Sequence, residues 1–144
     1  MKKTILCLSA LAAGVSLAFA GPVEDREALM KERAGLMRQI SPMAKGEEAF
    51  DAAKAQQILD QLAENARPGA ADELFPEGTQ EGTEASPAIW EDFAAFEAAW
   101  EKYAADTAAA AASKPQDQAA LAAAVGQIGA NCGSCHQPFR ISNN

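Results

Sequence analysis

Cys132 and Cys135 are the residues of this chain best suited to covalent chemistry, and His136 follows them directly. Two thiols three residues apart lie on one face of a helix, about one turn from each other, and a side chain four residues after the first lies beside that face. One turn of backbone can then add both thiols across the vinyl groups of a haem and offer an imidazole to its iron. The Cys-x-x-Cys-His order is the pattern of that attachment. The expected cofactor is one haem c, with thioethers at Cys132 and Cys135 and His136 as an axial iron ligand. Three other uses of the pair compete. A thioredoxin-type redox disulfide belongs in a βαβ context, and nothing nearby reads as a strand. Zinc needs four ligands, whereas His136 is the only histidine and Cys7 the only other cysteine. A buried structural disulfide, or free thiols, is the third.

The start of the chain bears on the same question. Met1-Lys2-Lys3, an apolar run from Ile5 to Phe19 and the small-x-small end Ala18-Phe19-Ala20 make a secretory signal peptide over residues 1–20. The run is too short and wrongly flanked for a membrane span, and no later stretch is apolar enough to be one. Cleavage after Ala20 leaves a domain from Gly21 to Asn144, without Cys7. Bacterial haem thioethers are made outside the cytoplasm, in an oxidising compartment, so leader and motif support each other and point to the periplasm. Losing Lys2 and Lys3 leaves ten basic against twenty acidic residues, a net charge of −10. Such a surface repels nucleic acid and anionic membrane and attracts a basic patch on a partner protein.

The elements that must position the motif read as helices. Alanine is abundant and β-branched residues are few, which favours helix. A first helix is expected from Val23 to Ala44, with Leu29, Leu36, Ile40 and Met43 on its apolar face and Gly46 as a left-handed cap. A second runs from Asp51, a capping residue, to Ala66, and buries Ala55, Ile58, Leu59 and Leu62. Residues 69–85 form a long loop from which Leu74 and Phe75 fold back. A third helix is expected to be capped by Ser86, with Ile89, Phe93, Phe96, Trp100 and Tyr103 at the four–three spacing of a bundle seam. A fourth runs from about Gln116 past Phe139. Its seam is Leu121, Val125, Ile128, Cys132, Cys135 and Phe139, so the haem cysteines occupy inward positions. Gly126, Gly129 and Gly133 could leave room for a flat macrocycle. The architecture that follows is an all-α, antiparallel four-helix bundle.

A haem motif near the carboxyl end of such a bundle resembles the class II c-type cytochromes, the cytochrome c′ family. The likeness covers nearly all of the chain after residue 20. It includes Arg26 with Met30 four residues on, Lys45-Gly46, Phe75-Pro76-Glu77-Gly78-Thr79, Pro87-Ala88-Ile89-Trp90, and the block from Cys132 to Arg140. Members differ on the far side of the iron from the histidine. In the gas-binding type an apolar residue leaves the iron five-coordinate. In the cytochrome c-556 type a methionine on the first helix is the sixth ligand. The resemblance puts Met30 at that position, with Met37 one heptad away as fallback. It also implies that Arg26 meets a haem propionate and that Arg140 lies beside the proximal histidine.

The function expected from all this is periplasmic transfer of single electrons between redox proteins, with low-spin iron between His136 and Met30. No substrate is transformed, so no enzyme is expected. The alternative is a five-coordinate protein binding NO or CO at an open site. A monomer or a homodimer fits either.

Overall fold

Pro22 and the acids Glu24 and Asp25 open helix α1, Pro22–Lys45, as a fixed φ and negative charge suit a helix start. Its end is set by Gly46, whose φ of 76° is left-handed, with its N–H returned to the carbonyl of Met43. Asp51 then accepts from the Lys54 amide at 3.0 Å and starts α2, Ala52–Asn65. The computed structural model describes residues 21–141; the expected leader, residues 1–20, lies outside the described residues.

The third expected helix is divided. A single turn α3, Ala71–Leu74, lies inside the long loop, and a second turn α4, Ala88–Glu91, precedes a break at Asp92. The long helix α5, Phe93–Ser113, is capped by Asp92, which accepts from the Ala95 amide at 3.1 Å. Ser86 does serve a helix start, taking the Ala88 amide at 3.3 Å, but only that of the short α4. Two consecutive cap signals compete here, and the second starts the long helix. Asp117 caps α6, Gln118–Phe139, through the Ala120 amide at 2.8 Å, two residues later than expected.

The four long helices form a ring in which α1 neighbours α2 and α6, and α5 neighbours the same two. No strand occurs among the described residues; Ala85 and Arg140 make one isolated antiparallel bridge. The interior divides into two apolar clusters. One fills the ring with Ile40, Leu59, Leu62, Leu121 and Ile128. The other gathers the aromatics Phe75, Phe96 and Trp100 with Leu29, Leu74 and Ile89 at one end. Phe75 stands edge-on to Phe96 at 4.6 Å between centroids, and Phe96 edge-on to Phe139 at 5.3 Å, a favoured packing of ring quadrupoles.

Leu59 is wholly buried in the first cluster, on α2 and away from the haem motif. Leu59→Ala is expected to cost about 3 kcal/mol from lost transfer energy and a residual cavity. A fall in the urea midpoint with an unaltered visible spectrum checks this.

Candidate haem site

Where α6 crosses from one cluster to the other it carries the motif. Ile128 belongs to the first cluster, and Cys135 and Phe139 pack on the second. Just before Cys132, the buried Asn131 donates to Asp106 of α5 at 2.8 Å, and Gln127 adds a bond to the same carboxylate at 3.0 Å. Hydrogen bonds from Lys102 first, then Asn131, hold the Asp106 carboxyl below its ordinary value. This tie fixes the turn that presents the thiols.

Both thiols are free and half-buried. Burial pushes the Cys135 thiol up, against the charge of Arg33. A protonated thiol is the opposite of the low-pKa thiolate that a redox disulfide needs. His136 is exposed. Its pKa is drawn down, by partial desolvation first and then by the positive charges of Arg140 and Arg33, with Glu84 opposing. The neutral imidazole that results is the form that ligates metals.

The far side of the site is α1. Met30 packs half-buried on the same cluster as Cys135. Met37 packs on the other cluster, with its Cε 3.9 Å from where a Cβ on Gly129 would stand. That contact places the middle of α1 against α6 about one turn before the motif. Both rise about 1.5 Å per residue, so Met30, seven residues back along α1, lies toward the end of α6 that carries the motif. Arg33 lies between the two methionines on α1, and its charge bears on Cys132, Cys135 and His136. Met43 is buried at the far end of α1, where its sulfur accepts from the Asp51 amide at 3.3 Å. A Cβ on Gly126 or Gly133 would meet nothing within 4 Å, so no protein neighbour requires glycine there.

Two arginines of α1 are buried, which sequence reasoning did not anticipate. Arg26, 4% exposed, is no surface residue. It donates to the carbonyl of Leu74 at 3.2 Å, to Thr79 Oγ1 at 2.8 Å, to the carbonyl of Thr79, and to Thr83 Oγ1 at 3.2 Å. Its guanidinium also stacks on Phe75, 4.9 Å from the ring centre. Arg33 lies deeper. Its Nε donates to Asn65 Oδ1 at 3.0 Å and its Nη2 to the Asn65 carbonyl at 3.3 Å. It lies over Tyr103 at 4.0 Å and Trp100 at 5.1 Å. The Tyr103 hydroxyl is buried with no partner, and burial pushes its pKa up to about 12. The signal was in the sequence: Arg26, Arg33 and Ile40 are seven apart, interleaved with Leu29, Leu36 and Met43, so both arginines fall on the seam.

Past His136 the chain is pinned. The amide of Ser86 donates to the Phe139 carbonyl at 3.0 Å, that of Ile141 to the Glu84 carbonyl at 2.8 Å, and Arg140 Nε to Glu84 at 2.8 Å. Arg140 thus lies near the proximal imidazole, as expected, with Glu84 as its partner.

The residues present fit a covalent haem. Two unpaired thiols and a neutral imidazole share one turn, a thioether of α1 packs on the same apolar cluster as Cys135, and the Tyr103 hydroxyl is buried without a partner. Thioether and imidazole are soft and intermediate donors well matched to haem iron. Among the described residues no three His, Cys, Asp or Glu side chains are grouped to hold a bare metal ion, and no helix is long and apolar enough to cross a membrane.

Comparison with known proteins agrees. The family model described as Cytochrome C' matches residues 21–140. Cytochrome c-556 of Agrobacterium fabrum is 42% identical over 122 residues, covering 85% of this chain and 82% of that protein. The solved structure of cytochrome c' from Rhodopseudomonas palustris superposes with a TM-score of 0.77 at 35% identity, over 88% of this chain and all of that one. A nitric oxide complex of a cytochrome c prime mutant from Alcaligenes xylosoxidans superposes at 0.75 with 30% identity, over 86% of this chain and 99% of that one.

Proposed function

The chain belongs to the cytochrome c′ family, and we propose that it is an exported, monohaem electron carrier whose iron is held between His136 and Met30. Covalent haem c is the cofactor, and when bound it supplies a centre that takes up and releases one electron. Cys132 and Cys135 hold it as thioethers. His136, kept neutral by its surroundings, offers a ring nitrogen. Met30 would offer its sulfur as the second axial donor and so would close the site to water and small ligands. A Met/His pair raises the reduction potential and leaves no open site, so the protein passes electrons and transforms no substrate. The single observation that supports this reading is that Met30 of α1 packs on the same apolar cluster as Cys135 of the motif.

Residues 1–20 serve as the leader that delivers the chain to the periplasm, and residues 21–144 are the working domain. The mature excess of acids suits a redox partner that docks through a basic patch, and association should weaken as salt screens the attraction.

A second reading has its own observation. Met30 Sδ lies 3.8 Å from Arg33 Nη1, and that contact could hold the methionine aside as a lid over an open iron. The relative solved with nitric oxide gives this reading its ligand class. Optical spectra of the mature protein, oxidised and reduced, with CO added to the reduced form, decide between the two. Low-spin spectra without prompt CO binding are expected. High-spin spectra with ready CO binding would replace the electron carrier with a gas-binding protein.

A further inference from the structure

Arg33 is a buried cation without a counter-ion. It is 8% exposed, and none of the ion pairs among the described residues includes it. Its partners are neutral: an amide oxygen, a backbone carbonyl, two aromatic faces and a thioether. Asn65, which anchors it, donates in turn at 2.9 Å to Glu32, an exposed residue that makes no ion pair with Arg33. Removing a guanidinium from water costs several kcal/mol unless something nearby repays it. Stacking on Tyr103 and Trp100 and the fork onto Asn65 repay part. A structural role alone would be filled by leucine or methionine at this seam position.

Arg33 Nη1 lies 3.8 Å from the sulfur of Met30, and its charge bears on both haem cysteines. The thioether edge of a haem carries no acid groups; both propionates stand on the opposite edge of the ring. The cofactor that this site takes therefore brings Arg33 no carboxylate at close range. We propose that Arg33 is a positioning residue that raises the reduction potential of the iron, acting as an uncompensated buried charge at the thioether edge and as a hydrogen-bond donor to Met30 Sδ. The inference rests on the haem-binding assignment made above.

The direction follows from charge. The oxidised centre carries one more positive charge than the reduced one, so a fixed cation disfavours oxidation. In a partly dry interior that repulsion is screened far less than in water. A donor on the Met30 sulfur acts the same way, since it draws electron density from the ligand and favours the reduced metal.

The test is the potential of the haem-loaded protein, measured by spectroelectrochemistry with the optical spectrum as a second readout. Arg33→Gln removes the charge and keeps a polar head near Asn65. Its reduction equilibrium is expected to shift about tenfold toward the oxidised form, which is about 59 mV for one electron. Arg33→Lys, which keeps the charge, should recover most of the shift. Should Arg33→Gln fail to fold, Asn65→Asp leaves the guanidinium in place and sets a carboxylate where an amide oxygen lies at 3.0 Å; it should lower the potential likewise. An unchanged potential in a variant that keeps the parent spectrum would overturn the inference. A high-spin parent protein would instead sink the Met30 ligation, and the effect of Arg33 on the potential would still be read.

Discussion

Met30→Ala converts the low-spin protein into a high-spin one that binds CO promptly when reduced. Of the methionines of α1, Met30 is the one that packs on the cluster of Cys135, and alanine has no donor to put in its place. The reduction potential should fall by on the order of 100 mV, because a Met/His pair favours the reduced iron more than a vacant or water-filled position does. Met37 cannot substitute, since it packs in the other cluster against α6 near Gly129. Stability should drop by about 2 kcal/mol, at the low end for losing a large side chain, because Met30 is only half-buried. The two effects separate in the measurement: the spectrum and the CO reaction report ligation, and the urea midpoint reports packing. A variant that keeps its low-spin spectrum would dismiss Met30 as a ligand whatever its stability.

The motif and the seams were legible because they are local. Cys132, Cys135 and His136 state their chemistry in five residues, and the seven–four–three spacing of Leu29, Leu36, Ile40 and Met43 states a buried face. The division of the third helix was not legible in that way. Ser86-Pro87 is a good start signal, yet Asp92 is a second one six residues on, and which of them starts the long helix depends on how the aromatic end packs. The burial of the two arginines was missed for a different reason. An arginine on a helix is ordinarily solvated, so Arg33 reads as surface until its heptad position is weighed above its charge. Its tolerance comes from Asn65 on another helix and from two rings of α5. Partners separated by 32 residues or more leave no trace in a local pattern.

Arg26→Met should release the segment 74–83 from α1 and lower stability by about 3 kcal/mol. Four hydrogen bonds run from this one side chain to Leu74, Thr79 and Thr83, and bonds from a charged donor are worth roughly 1.5–3 kcal/mol each before compensation. Methionine keeps an apolar stem against Phe75 but leaves the carbonyls of Leu74 and Thr79 without their donor. Lysine would rescue little, because its single ammonium cannot reproduce a fork that engages three residues of the loop at once. The loop matters to the site through its far end, where Glu84 holds Arg140 and the Ile141 amide, and Ser86 holds Phe139, just past His136. Hydrogen exchange should therefore rise first across residues 79–86 and then at 139–141. The alternative role for Arg26, a pairing with a haem propionate, gives another signature. It would shift the reduction potential while exchange in the loop stayed as slow as in the parent protein. Loop opening with a steady potential would make Arg26 a strut for the proximal side of the haem, and its buried charge an anchor for backbone carbonyls.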